Sequence, residues 1–239
     1  MSRDRKIRML SIVALVLAIT GMSLGFAAFS STLTISSSAT VTPNSDDFSI
    51  TFLGLDENSE YTSESSIYPI SENNISGNIA TISNGKESTI SNLKASFTEP
   101  GQSVVYSYKT LNTGLYNSYL KSWRFYLLDG MNDVIECVPA ENSDVSSELL
   151  SNACQDIDVK VEVYSSDGIR MINGYMRYYY DMLGSSLGSF GDNFMLPPNN
   201  YWLTVISIEY ASDGARADGD FDVKIANIGV EYGTAPLSS

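Results

Sequence analysis

The sequence contains no histidine. That one absence removes Ser-His-Asp and Cys-His nucleophilic sites and the H-E-x-x-H zinc motif. Basic residues are scarce too, 14 Lys and Arg against 28 Asp and Glu, for a formal charge of −14. A chain this acidic repels phosphates, and no basic aromatic patch interrupts it, so nucleic acid is excluded as a partner. The plain meaning of the charge is solubility. Carboxylate-only glycoside hydrolysis would need two carboxyl groups about 5–9 Å apart, and nothing in the sequence points to such a pair. Ser-Lys catalysis would need an activated lysine, whereas the lysines sit mostly at polar strand positions. We therefore expect no enzymatic activity and no cofactor.

Long apolar runs are equally rare, and the one present lies near the N-terminus. Arg3, Arg5, Lys6 and Arg8 form a basic region, followed by an apolar run from Met9 to about Phe29. A run of about 20 apolar residues reads either as a cleaved signal peptide or as a retained membrane helix. Gly25-Phe26-Ala27 offers small groups at −3 and −1 of a peptidase site, so cleavage is expected between Ala27 and Ala28. Residues 1–27 are then the signal and 28–239 a single extracellular domain, secreted or at the cell surface. Membrane contact is expected only through the N-terminal segment before cleavage. The first 27 residues carry a net +3, which leaves the remainder near −17.

Beyond residue 30 the dominant period is two. Leu33, Ile35, Ala39 and Val41 alternate with Thr32, Thr34, Ser36, Ser38 and Thr40, a strand with one buried face. Phe48, Ile50 and Phe52 resume the alternation after a turn at 43–47. Residues 56–74 lack a period and read as a long, exposed, flexible loop. Strand signals return at 79–82 and 89–97. Past the Pro100-Gly101 turn, Val104, Tyr106, Tyr108 and Thr110 face one way and Val105, Ser107 and Lys109 the other. Asn112-Thr113-Gly114 breaks the run, and Trp123, Phe125 and Leu127 continue it. A short helix is expected between the cysteines, capped from Asn142, Ser143 and Asp144, with Val145, Leu149 and Ala153 at helical spacing. Val159, Val161 and Val163 alternate in a further strand. The tyrosines at 175, 178, 179 and 180, with Gly184, Gly188 and Gly191, read as strand plus loop or as a short helix. Strands at 202–210 and 221–232 follow, the last with an apolar phase shift between Ile225 and Ile228 that suggests a bulge. Roughly nine or ten strands with no room for βαβ crossovers make the chain all-β: an antiparallel sandwich, jelly-roll-like, with one short disulfide-flanked helix.

Three stretches resemble the secreted TasA/camelysin-like group, whose signal peptides are SipW-dependent. They are Leu24-Gly25-Phe26-Ala27-Ala28-Phe29-Ser30-Ser31-Thr32-Leu33-Thr34, then Glu99-Pro100-Gly101-Gln102-Ser103-Val104 with Asn112-Thr113-Gly114, and the closing Asp218-Gly219-Asp220-Phe221-Asp222-Val223. Ser31 departs from the family's usual acidic residue after the aromatic-Ser pair. The resemblance implies a jelly-roll subunit of an extracellular, biofilm-type fibre or matrix that self-associates when an N-terminal strand completes a neighbour's sheet. Residues 32–41, carrying Leu33, Ile35, Ala39 and Val41, are the donor candidate; the other reading pairs that strand within its own domain. Some camelysin-like proteins are described as metalloproteases, and no zinc motif here supports that carry-over.

Three further candidates remain. Cys137 and Cys154 pair as a disulfide in an oxidising compartment; a two-thiolate metal site would lack histidine partners. Asp218, Asp220 and Asp222 have calcium-loop spacing, but Val223 stands where glycine is expected, and a solvated strand face is the alternative. The 15 tyrosines form either half-buried sheet surface or a glycan-stacking platform. That platform would suit a monomeric surface-binding module, the alternative to a fibre subunit. With no lipobox cysteine, sortase motif or second apolar span, the mature protein is expected to be released, polymerised or held non-covalently on the wall.

Overall fold

The computed structural model describes residues 48–72, 75–83, 87–126, 128, 134–177 and 194–234, all within the unit Asn44–Ser239. The expected signal with Ala27 and Ala28, the donor candidates Leu33, Ile35, Ala39 and Val41, Leu127, and residues 178–193 with their tyrosines and glycines lie outside the described residues. Among the described residues, no helix is long and apolar enough to cross a membrane.

Among the described residues, seventeen strands and one helix follow in order. They begin β1 (Ile50–Leu55), β2 (Tyr61–Thr62), β3 (Ser66–Ile67), β4 (Ile70–Glu72), β5 (Ser76–Gly77) and β6 (Ala80–Ile82). Next come β7 (Glu87–Ser91), β8 (Lys94–Phe97), β9 (Ser103–Asn112), β10 (Ser118–Phe125), β11 (Ile135–Pro139) and α1 (Ser147–Gln155). The last are β12 (Ile157–Ser165), β13 (Arg170–Arg177), β14 (Met195–Leu196), β15 (Tyr201–Tyr210), β16 (Phe221–Ile225) and β17 (Ile228–Gly233).

One layer has the order β13-β12-β15-β9-β1-β2, with β4 beside β9. Its centre is the ten-residue pair β9 and β15, in register from Ser103↔Glu209 to Leu111↔Tyr201. Strict alternation makes this pair: Val104, Tyr106, Tyr108 and Thr110 are buried, as are Trp202, Thr204, Ile206, Ile208 and Tyr210. The facing layer has two parts, β14-β10-β17-β7-β6-β3 and β11-β16-β8-β5. Every pairing is antiparallel. Aromatic contacts fill the space between the layers: Phe97 meets Tyr210 edge-on at 5.8 Å, and Phe52 meets Tyr232 at 6.2 Å. The fold is an all-β antiparallel sandwich of jelly-roll type.

The two parts of the second layer are halves of one creased sheet. The same chain runs supply both halves: β5 leads into β6, β7 into β8, β10 into β11 and β16 into β17. Main-chain bonds bridge the crease, including Ile225 N–H to Leu93 O at 2.9 Å, Ala226 N–H to Val134 O at 2.8 Å and Tyr126 N–H to Asn227 O at 2.7 Å. Asn92 turns the corner in the left-handed region (φ 63°), which asparagine tolerates better than most residues. Its Nδ2 donates to Ile79 O at 2.7 Å. From the opposite layer, the wholly buried Tyr106 directs its hydroxyl into the crease, 2.7 Å from Lys94 O and 2.9 Å from Asn78 O. Gly77 leaves room for it, since a Cβ there would lie 3.1 Å from that oxygen and 2.8 Å from Val104.

Several sequence expectations are corrected. The run 221–232 is not one bulged strand: the phase shift at Ile225–Ile228 is the crossing between halves of the creased layer, with Ala226 buried there. The run 89–97 divides at Asn92 for the same reason. The stretch 56–74, read as an exposed loop, contains β2, β3 and β4, with Ile67 fully buried. Asp56 organises its start by accepting the N–H groups of Asn58 and Glu60 at 2.9 and 2.8 Å. Ser107, placed on the outward face, is buried because β2 covers it and Tyr61 Oη lies 3.0 Å from its hydroxyl.

The helix between the cysteines exists but begins later than expected. Asn142 has φ 65° and lies in a turn in which Ser143 N–H reaches Ala140 O, so Ser146 becomes the N-cap. Leu149 is exposed, whereas Ala153 and Cys154 are buried. A disulfide joins Cys154 of α1 to Cys137 of β11, with Cα atoms 6.0 Å apart. The cysteines are separated by 17 positions, and closing a loop of that size stabilises by about 3 kcal/mol. Replacing both cysteines by serine should therefore lower the unfolding free energy by about 3 kcal/mol in urea titrations, and an unchanged midpoint would contradict a stapling role.

Tyr106 gives a second expectation. Burial pushes its hydroxyl up to about 12, with the bond to the Lys94 backbone opposing. A free tyrosine loses its proton near pH 10. Above that pH the unfolded chain releases a proton that the folded chain retains, so this stability is complete below pH 10 and declines as pH rises towards 12. The slope from this one group is about 1.4 kcal/mol per pH unit. Tyr106→Phe should cost about 1–3 kcal/mol at neutral pH and make the alkaline decline shallower in denaturant titrations between pH 9 and 12.

Candidate functional site at the Asn112 pole

At the end of β9 the chain places an asparagine where the alternation demands an inward side chain. Asn112 is fully buried, so each polar group must find a partner. Its Nδ2 donates to Tyr116 O and Leu196 O, both at 2.8 Å, and its Oδ1 accepts Gly114 N–H at 3.0 Å. Its backbone N–H donates to Asn200 O at 3.0 Å, and its carbonyl accepts Asn199 N–H at 2.8 Å. One residue thereby ties the 112–118 loop, which crosses from one layer to the other, to the 194–200 segment. Ser49 joins this pole as well, its carbonyl accepting from Thr113 at 2.9 Å and Gly114 at 3.1 Å.

A third loop closes the group. Ser165 N–H donates to Ile169 O at 2.9 Å and Gly168 N–H to Ser165 O at 2.9 Å, with Gly168 at φ 81°. Ser166 Oγ bonds Asn200 Oδ1 at 2.9 Å. Between the loops opens a cleft of about 270 Å³ whose lining includes Ser166, Asp167, Met171, Met195, Asn200 and Tyr201. Asp167 is fully exposed, and the Ser165 hydroxyl, then its own backbone N–H, hold its carboxyl below the usual carboxylate range. Beside the cleft, the Lys109 ammonium is bracketed by two rings, 4.6 Å from the centroid of Tyr201 and 4.2 Å from that of Tyr61. A carboxylate, an amide and hydroxyls beside apolar walls offer the chemistry of recognition.

Four large apolar side chains stand outward at this pole: Leu115 at 73% exposure, Ile169 at 62%, Tyr116 at 54% and Met195 at 38%. They ride on the three loops that Asn112 and Asn200 tie together. The sequence read 112–114 only as a break in a strand. An Asn two positions before the Gly whose N–H it accepts was the available signal, but its partners at 196, 199 and 200 are distant in sequence.

The acidic candidates do not converge. Asp222 pairs with Lys94 at 2.6 Å and accepts Ser96 Oγ at 2.6 Å. Asp218 accepts Ser146 N–H at 3.1 Å at the start of α1, a favourable place for a negative charge. The carbonyl of Asp220 takes Ala140 N–H at 3.0 Å. Among the described residues, no three His, Cys, Asp or Glu side chains are grouped to hold a metal ion. The tyrosines divide: Tyr106, Tyr108 and Tyr210 are core, while Tyr61 and Tyr201 remain half-buried on the outer face of the first layer.

No family model matches the chain, and no curated protein does either. Among solved structures, a match is Xylanase10C (mutant E385A) from Cellvibrio japonicus in complex with xylopentaose, at 11% identity and a TM-score of 0.28. The match covers 70% of this chain but only 26% of that one. At that TM-score the likeness carries no argument about fold or function.

The pole should be sensitive to its central amide. Asn112→Ala would leave the carbonyls of Tyr116 and Leu196 and the Gly114 N–H without this partner, at a cost of about 3 kcal/mol. Amide exchange at Gly114 should accelerate beyond what global destabilisation explains; uniform acceleration across β9 and β15 would deny Asn112 its local role.

Proposed function

We propose that this chain is a secreted structural subunit of the extracellular matrix or cell surface, of TasA/camelysin-like type, which assembles when residues 32–41 are donated to a neighbour's sheet. The observation that carries this reading is an open edge. Among the described residues, β9 pairs one side of β1 from Ile50 to Gly54, while β2 pairs the other side only at Gly54 and Leu55. Ile50–Leu53 thus keeps one side without a strand. Such edges invite strand addition, in which main-chain bonds give affinity and alternate side chains give register. The alternating segment Leu33, Ile35, Ala39 and Val41 lies just upstream in the chain and has the composition to fill such an edge. The disulfide agrees with an oxidising, extracellular setting.

A second reading, a monomeric glycan- or protein-binding module, draws on the cleft with Asp167, Asn200 and Tyr201. Electron microscopy of the protein beginning at Ala28 separates the two. Filaments are expected, and Ile35→Asp should abolish them while leaving a normal far-UV spectrum. Ser36→Asp, on the polar face, should do little. A monodisperse wild-type monomer that binds cell-wall polysaccharide would favour the module, and an unfolded Ile35→Asp monomer would place the strand inside its own sandwich.

A further inference from the structure

We infer that the Asn112 pole is the face against which a second copy of this chain seats during assembly. The inference rests on the strand-donation reading above and adds where the copies touch. Leu115, Tyr116, Ile169 and Met195 are four of the large apolar side chains that stand exposed, and all four ride on the loops of this pole. Their loops are bonded to one another through Asn112, Asn200 and Ser166. The group is therefore pre-ordered, and little loop entropy remains to be lost on contact.

Chain reach selects the occupant. Ser49 is bonded to Thr113 and Gly114, so position 49, from which the upstream segment is tethered, lies at this pole. From Val41 to Ser49 the chain reaches at most about 28 Å fully extended. A copy that accepts residues 32–41 is consequently held close to the donor's Leu115 loop. The acceptor edge Ile50–Leu53 begins at the same pole of its own domain, so handing over the strand brings both copies together there. Charge argues in the same direction. Copies beginning at Ala28 carry near −17 and repel one another, and an uncharged apolar group is where such copies can approach.

The test compares two sets of variants of the protein beginning at Ala28 by sedimentation over a concentration series. Leu115→Ser/Ile169→Ser alters the pole, and Ile35→Asp alters the donated strand. Both pole side chains are mostly exposed, so thermal melting should stay near that of wild type. The single Ile169→Ser, at a hairpin tip, is measured in parallel in case the double variant melts early. The pole variants should raise the concentration needed for assembly by about tenfold. Assembly of wild type, Ile169→Ser and the double variant at one concentration, with Ile35→Asp monomeric, would overturn the pole and leave strand donation standing. A wild type that stays monomeric throughout would overturn both, including the case in which its pole binds wall polysaccharide instead.

Discussion

One hydroxyl closes the weakest line in this sandwich. Where the second layer creases, the chain runs pass from one half-sheet to the other and their ladder bonds change partners. Carbonyls on such a line need donors, because a polar group shielded from water and left unpaired costs as much as several good contacts return. The Tyr106 hydroxyl, carried across the core by the opposite layer, lies within bonding distance of two of them, at Asn78 and Lys94. Its single proton serves one carbonyl at a time. The Lys94 N–H, 3.4 Å away, lies on the same oxygen and turns the group into a small network. Core packing, the bend of the layer and the register of β8 against β16 all meet at this atom.

The crease also explains the division of the rest. Because the second layer bends, β8 and β16 can bring Phe97 and Phe221 against Tyr210 at one end of the core. At the other end, Phe52 and Trp202 pack on Tyr232 of β17. The disulfide then fixes α1 to β11, the outer strand of one half. Stability is thus concentrated in aromatic contacts between layers, and exposed ion pairs such as Arg170–Glu162 contribute little by comparison.

The legible part of this structure was whatever repeats locally. Alternation in 103–112 and 201–210 reports burial directly, since period two is the geometry of a strand with one face inward. The cysteine pair was legible from compartment chemistry. The sheet crossings were not: at Asn92–Leu93 and Ala226–Asn227 the apolar pattern resumes after a step, which looks the same for a bulge as for a change of sheet. Ile67 was hidden because two-residue strands leave no period to count. The pole was hidden for a different reason. Its organising bonds join residues 112, 166 and 200, and only tertiary structure brings them together.

The same contrast bears on function. Asn112 and Tyr106 bury polar groups that find their partners within the domain. The open side of Ile50–Leu53 and the outward Leu115, Tyr116, Ile169 and Met195 are the opposite: groups whose burial would be favourable and which no strand or side chain among the described residues covers fully. Both lie at the end of the described domain where Ser49 stands. An edge alone would invite indiscriminate pairing, because main-chain bonds carry no identity. An apolar group fixed beside the edge adds selectivity, since only a partner shaped to cover it while supplying a strand gains from both. An acidic surface discourages the rest by repulsion, an effect that weakens beyond about 8 Å at physiological salt. On the strand-donation reading, the open edge and the two most exposed large apolar side chains of the described residues, Leu115 and Ile169, share one pole of an otherwise self-repelling sandwich.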